Sequence, residues 1–508
     1  MEFEALKDLI QTITRNKVKQ IEVLGNPGQE DSRTEALYDG IAKGKIKSDE
    51  EAAQIFFQTS DLKDPNYRKL RNRLVRQLVN TALFVDVNQP MFNDRSKALY
   101  NCYRDFAAAN ILQLRGANKA AVYLMQQTLE QAIKFEFIEL AVEITRFLRM
   151  RYARSVGDRA NHEQFTALNR QYEEKRQLER MAQDYYEDLI NYYIHKRSPN
   201  EEIHQHAIEF YDILRPLASK VDTTQFYYNT FQIGIIKYLS INDCHNAILL
   251  CDEALHLLEN RKNIHRSSLF SIALQKLSCI TQLHIFENEE GDKTAQYCLE
   301  LVSEGEFNWF KVQEVSFYYC LYRHKYEEAL QVFSEALQYK ERLDVLGSNL
   351  SDAWQLYGGY LHLLAALGKL DPTKVEAAAG PFRYNKFIND FEVLDKDKEG
   401  MNIPLVLLPI LFSVAKADYQ EEYGRSVEAL EKYRKRYLDN DMNRRSASFM
   451  VMLMAYAKKG FEPEQSEKKI KKEMAVLKSI PPQIAGQSFA VEIVPYEDLW
   501  EMLMERKK

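Results

Sequence analysis

The chain predicts an all-α fold: an array of antiparallel helix hairpins, preceded by an N-terminal helical bundle and closed by a C-terminal capping segment. Three observations predict it. Small or apolar residues recur four and then three positions apart in three stretches: Ala247, Cys251, Ala254; Ala295, Leu299, Val302; and Ala329, Phe333, Ala336. Each stretch follows another helical pattern, as a stacked-hairpin repeat requires. Only 18 Gly and 13 Pro occur in 508 residues, too little turn chemistry for a many-stranded sheet. Finally, the chain exceeds the size at which one hydrophobic core stops growing, so it is several domains or an elongated repeat, and the repeat signal favours the second.

Residues 1–90 read as a compact bundle. Phe3, Leu6, Leu9, Ile10 and Ile13 give a first helix, which Gly25, Asn26, Pro27 and Gly28 break. A second helix spans about 33–42. Ser48 with Glu51 three residues later forms a capping box that opens a third, through Phe57. Pro65 starts a long helix to about residue 85. In it Tyr67, Leu70, Leu74 and Leu78 share one face, and Arg68, Lys69, Arg73 and Arg76 share the opposite one. A basic stripe preceded by two short helices is loosely the layout of a helix-turn-helix, and it suits phosphate contacts. The same pattern also describes a solvated face paired with Asp49, Glu50, Glu51, Asp61 and Asp64 just upstream.

Residues 91–380 read as the repeat array. Arg115-Gly116-Ala117-Asn118, Val156-Gly157-Asp158, Ile241-Asn242-Asp243 and Glu290-Gly291-Asp292 each separate two apolar-periodic segments and read as hairpin joints. Ser198-Pro199-Asn200-Glu201 is a helix start, with Ser at the cap and Pro where its missing N–H costs nothing. Asp371-Pro372 is another. Residues 381–402 read as an irregular insertion, introduced by Gly380-Pro381 and carrying a charged run at 395–399.

Residues 403–508 read as further helical repeats and a cap. The most apolar stretch, 403–415, is too short to span a bilayer, contains Pro404 and Pro409, and reads as a buried helix. Helices continue to about residue 478, and Ile480-Pro481-Pro482 ends them. Residues 488–494 alternate as a short strand or extended segment. A final amphipathic helix carries Leu499, Trp500, Leu503 and Met504, suited to covering the open end of a stack.

Two antiparallel helices meet closely only where the crossing residues are small, while the next hairpin needs a larger apolar knob. Phe231, Tyr238, Ala247, Cys251 and Ala254 follow that aromatic, aromatic, small, apolar, small order, and here the chain resembles the tetratricopeptide-repeat (TPR) superfamily. Trp354, Tyr357, Gly358 and Leu361 resemble its first-helix signature, with the last two bulky positions exchanged in kind. The resemblance covers about 95–370. Ala295 and Ala329 stand 34 residues apart, the superfamily's period, whereas Ala247 and Ala295 stand 48 apart and Cys320 occupies an expected tyrosine position. Other α-solenoids stay open. The resemblance implies a superhelical, TPR-like solenoid whose concave groove is lined by the first helix of each hairpin. It would turn Asn229, Gln232 and Ile236, and Asp352, Gln355 and His362, toward a bound peptide or helix. The same positions also suit solvated residues or residues packed on an adjacent hairpin.

Catalytic chemistry is not visible. Gly40-x-x-x-Gly44-Lys45 is one residue short of a phosphate loop and places Ile46 where a magnesium-binding hydroxyl belongs, so it reads as a helix end. His204 and His206 fall on different sides of a helix, and the adjacent pairs His162-Glu163 and Cys244-His245 do not aim two side chains at one atom. The aromatic richness reads as core packing. A net charge of −6 excludes a chain that is basic throughout. Six cysteines without a Cys-x-x-Cys pair, and no secretory signal at residues 2–9, point to a reducing cytoplasm. The expectation is therefore a non-catalytic scaffold, adaptor or sensor with no cofactor, no metal and no membrane segment, binding an unnamed protein or peptide. The alternative is a regulator that contacts nucleic acid through residues 65–85 and senses a ligand or partner with the solenoid. Self-association is left open.

Overall fold

A computed structural model describes residues 3, 6, 7, 10, 32–59, 61–82, 87, 93–154, 158–196, 201–284, 289–382, 403–416, 427–428, 430–435, 444–458, 463–480 and 492–505. Among them every regular element is helical: twenty-two α-helices and one 3-10 turn. None of these helices is long and apolar enough to cross a membrane. The chain divides into two compact units, Met1–Arg176 and Gln177–Lys508.

The first unit opens with α1 (Ser32–Ala42), α2 (Asp49–Phe57) and α3 (Pro65–Ala82). Helix α1 ends where the Lys45 N–H reaches the Gly40 carbonyl at 2.8 Å, with Gly44 at φ +68°; the glycine-lysine motif is a helix terminus. Ser48 caps α2, its hydroxyl accepting from the Glu51 N–H at 3.2 Å. The return arm of the box differs from expectation: the Glu51 carboxylate takes the Lys47 N–H at 2.7 Å, one residue before the cap. Asp64 caps α3 by accepting from Asn66 and Tyr67, both at 2.9 Å. Helices α1 and α2 pack on α3, burying Tyr67, Leu70, Leu74 and Leu78, and Leu6 and Ile10 join that core. Leu9, Ile13 and residues 25–28 lie outside the described residues.

Three longer helices follow, α4 (Asp94–Leu114), α5 (Asn118–Lys134) and α6 (Ile138–Arg154), then α7 (Arg159–Lys196). Three-residue joints turn α4 into α5 and α5 into α6, which forces antiparallel neighbours. The first joint uses Gly116 at φ +81°. The second uses Glu136 at φ 55°, with the Phe137 N–H on the Ala132 carbonyl at 2.8 Å. A side chain in the left-handed region costs roughly 1–2 kcal/mol, yet this chain adopts it repeatedly at helix ends, at Asp222, Asn242 and His324 among others. Its glycine poverty is thus not a poverty of turns. Met125, Ala132, Ala141, Ile144 and Leu148 fill the core. Asn169 ties α7 to α6 by donating to the Val142 carbonyl at 3.1 Å and Thr145 Oγ1 at 3.0 Å.

In the second unit, residues 177–196 of α7 are followed by α8 (Glu201–Leu214), a 3-10 turn, α9 (Ala218–Val221), α10 (Thr224–Leu239), α11 (Cys244–Glu259), α12 (Arg266–Gln282) and α13 (Glu290–Leu301). Next come α14 (Phe307–Tyr322), α15 (Tyr326–Leu337), α16 (Lys340–Leu346), α17 (Ser348–Ala366) and α18 (Pro372–Ala379). The unit closes with α19 (Ile403–Lys416), α20 (Arg444–Lys458), α21 (Pro463–Ser479) and α22 (Tyr496–Glu505). Consecutive helices pack along α10 to α13 and in the α14/α15 hairpin. Ala247, Cys251 and Ala254 are wholly buried on α11, as are Ala329, Phe333 and Ala336 on α15.

The middle stretch is a correction. Ala295 and Leu299 are only half-buried, and Val302 lies past the helix end in extended conformation. The buried positions are Thr294 and Cys298, one residue earlier, while Leu299, Leu301 and Val302 pack half-buried against the core. A one-residue slip turns a helix face by about 100°. The cause is Gly291, where a Cβ would stand 2.3 Å from Tyr319 Cζ; the missing side chain lets α13 roll onto that ring. Glu290-Gly291-Asp292 is therefore the first turn of α13, not a joint.

Helix α14 is buried on all faces, from Trp309 to Tyr322. Its one buried carboxylate, Glu314, is held by Lys311 Nζ at 2.7 Å and by the Tyr357 hydroxyl at 2.5 Å, and Tyr318 donates to Tyr357 at 2.6 Å. Helix α19 is the buried apolar helix expected, with Ile403, Leu407, Leu408, Ile410 and Leu411 sealed. Residues 383–402 lie outside the described residues. So do residues 488–491 of the expected strand or extended segment, and of its described residues Ile493 and Val494 form a bend. Helix α22 buries Tyr496, Leu499, Trp500 and Leu503 in the same core as α14 and α20. Arg445 locks this end. It meets Glu492 at 2.7 Å and Glu497 at 2.6 Å and also donates to the Leu477 and Ile480 carbonyls.

Candidate binding groove

The six groove positions inferred from sequence separate into two groups. Asn229, Gln232 and Ile236 are buried, which corrects their assignment to an open wall. Gln232 Nε2 donates to Ser271 at 3.2 Å, and Gln275 Nε2 donates back to Gln232 Oε1 at 3.0 Å. Asn229 accepts from Gln225 at 3.0 Å. Ile236 packs with α8 and α9. The Gln232 amide thus knits α10 to α12, whereas the bond to Asn229 stays within α10 and the buried Asn229 Nδ2 has no hydrogen-bond partner.

Gln355 and His362, by contrast, line a groove of about 620 Å³ between α15 and α18. Its apolar wall is Phe333, Leu337, Trp354 and Phe382, and its polar rim is Lys340, Asp344 and Ser351. Asp352, the third position on α17, is half-buried and is not part of the lining; burial holds its carboxyl above the ordinary value. The concavity has a sequence cause. Gly358 and Gly359 face it without side chains, and a Cβ at Gly358 would already stand 3.2 Å from Phe333 Cζ. Gly380, at φ +77°, ends α18. The carbonyl of Gly380 accepts from His362 Nε2 at 3.0 Å, so the neutral ring carries its proton there. His362 also lies 5.1 Å from the Phe382 ring, which stacks on Phe412 at 4.8 Å.

Trp354, which the sequence offers only as part of a first-helix signature, also lines the groove. It is 1% exposed, edge-on to Tyr357 at 5.5 Å, and its Nε1–H has no hydrogen-bond partner. Among the described residues it is the one groove-lining side chain with a buried, unpartnered polar atom. The signal for the groove was the Gly358-Gly359 doublet inside a helix.

The other candidates do not converge. His204 Nδ1 meets the Lys237 carbonyl at 2.7 Å while His206 lies beside Phe210. Cys244 is buried and His245 exposed, and all six cysteines are buried and unpaired. Among the described residues no three His, Cys, Asp or Glu side chains gather as a metal site would require. On α3, Arg68, Lys69, Arg73 and Arg76 are all exposed, opposite the buried face; Arg71, between them, is held by Asp49 at 2.8 Å. Comparison with protein-family profiles, curated proteins and solved structures gives no match, so the groove is argued from this chain's own residues.

Proposed function

We propose that this chain is a non-catalytic interaction protein, a scaffold, adaptor or sensor built as a TPR-like superhelical array, which holds a segment of a partner protein in the groove between α15 and α18. The observation that carries the reading is the buried indole N–H of Trp354 on the groove wall. An unsatisfied buried donor costs about 1–3 kcal/mol. A peptide entering the groove brings carbonyl acceptors to the Trp354 side of the wall, while its side chains cover Phe333, Leu337 and Phe382. Gln355, exposed on the same wall, offers both a donor and an acceptor to a peptide backbone.

The test is a photo-crosslinking residue placed at Gln355 in cells of the native host, with the same residue at Leu249, which is 66% exposed on α11, as control. The reading expects a discrete adduct at 355, abolished by Trp354→Phe, and none at 249. Equal crosslinking at both positions, or none at 355, defeats it.

A second reading rests on the four exposed basic residues of α3: contact with nucleic acid through this face. It expects binding to duplex DNA or RNA that weakens steeply with salt and that Arg68→Glu with Arg76→Glu removes. Salt-independent binding, or none, ends it.

A further inference from the structure

The helices α4 and α6 carry a feature that the groove does not use. Helix α5 packs along both of them, and between them opens a cleft of about 160 Å³. Its floor is apolar: Phe106 from α4, Phe147 and Met150 from α6. Met150 is 48% exposed, although Ile144 and Leu148 on the same helix are wholly buried in the core. The rim is cationic, with Arg146, Arg151 and Arg154 against the single acid Glu143. In a chain of net charge −6, a cleft carrying three arginines and one carboxylate runs against the overall balance.

We propose that this cleft is a separate docking surface, and that its occupant is an acidic amphipathic segment of a partner protein. Charge complementarity decides the sign of the partner. Arg146 is paired with Glu143 at 2.6 Å, but both side chains are well exposed, so the pair is weak and exchangeable for a partner carboxylate. Arginine guanidinium groups match carboxylates in two-pronged geometry. The floor decides the rest: apolar surface ringed by cations rewards a segment that sets an aliphatic side chain between its acids. The volume lies below the 300–1,000 Å³ usual for small-molecule sites, which favours one inserted side chain of a larger partner. A nucleic-acid backbone would use the arginines and leave the floor uncovered.

The experiment uses the full chain and a fluorescein-labelled acidic peptide, glutamates with leucines at helical spacing, followed by fluorescence anisotropy. The proposal expects saturable binding that weakens with salt. It expects at least about a tenfold loss, equivalent to 1.4 kcal/mol, in Arg146→Glu/Arg154→Glu, in Met150→Ser, and when serines replace the peptide's leucines. Arg146, Met150 and Arg154 are exposed, and unchanged helical circular dichroism shows that each variant folds. No binding, or binding indifferent to these variants, overturns it. An oligonucleotide of equal charge that binds more tightly and is lost in the arginine variant also overturns it. The groove reading is unaffected by either result, because it is read out at Gln355.

Discussion

Gln232 on α10 and Gln355 on α17 share the same expected role, and the structure places them in opposite surroundings. Gln232 is sealed and bonded to Ser271 and Gln275. Gln355 is exposed beside the groove. The difference lies in what comes next along the chain. Beyond α10, helix α12 returns polar side chains that close the seam. Beyond α17, helix α18 is only 8 residues long and stops at Gly380, while Gly358 and Gly359 strip the wall of side chains. Among the described residues the groove lies where α18 is short and the α17 wall carries two glycines, and wall composition alone does not announce it.

The largest test asks what lets the unit keep an open groove. The core behind the groove runs from α14 to α22 and is pinned at its far side by Arg445, which is 6% exposed and paired with the 3% exposed Glu492. Burial raises the Glu492 carboxyl, and Arg445 works against that rise. Arg445→Met leaves the acid buried and uncompensated and should cost about 3–5 kcal/mol in urea unfolding. Adding Glu492→Leu should restore most of it. A single-variant loss below about 1 kcal/mol would show that the far side is not the anchor.

The next test compares the notches. Ala254→Leu on the closed side and Ala329→Leu beside the groove should each cost roughly 1–3 kcal/mol by overpacking. Ala295→Leu should stay within about 0.5 kcal/mol, because the register of α13 places that residue half-exposed. A large loss at 295 would restore the register read from sequence. At the seam itself, Gln232→Leu strands its two partners and should cost about 1–3 kcal/mol, against less than about 0.5 kcal/mol for Gln355→Leu. Equal losses would erase the contrast between the seam and the groove.

The smallest effect is a pH slope. Burial beside Tyr322 holds the His284 imidazole below its ordinary value, with Glu497 opposing and Arg445 and His324 assisting. As pH falls below about 6.5 the unfolded chain takes up this proton first. The His284 contribution is therefore complete above that pH and declines as pH falls toward the folded value. His284→Asn, tolerated at φ 56°, should flatten the decline in Tm between pH 7.5 and 5.5. A parallel profile would rule His284 out as the source.

Much of the fold was legible because helical period, caps and buried faces are local. Ser48, Asp371, the buried face of α3 and the apolar α19 all follow from neighbours within two turns. What escaped depends on partners distant in sequence. The roll of α13 needs Tyr319 opposite Gly291, and the joint at Glu136 hides because no glycine marks it. The return of Glu492 to Tyr322 spans 170 residues. Of the six groove positions, Gln355 and His362 line a cavity, Asp352 does not, and Asn229, Gln232 and Ile236 are buried in packing, since a position on a helix face does not say which neighbour will cover it.

The central claim concerns one N–H group. In the full chain with indole-15N tryptophan, the three side-chain resonances belong to Trp309, Trp354 and Trp500, and Trp354→Phe identifies the middle one. Adding the partner segment recovered by crosslinking at Gln355 should move the Trp354 resonance downfield, as a newly hydrogen-bonded proton does, and leave the other two in place. A saturated complex in which the Trp354 resonance does not move would contradict the account.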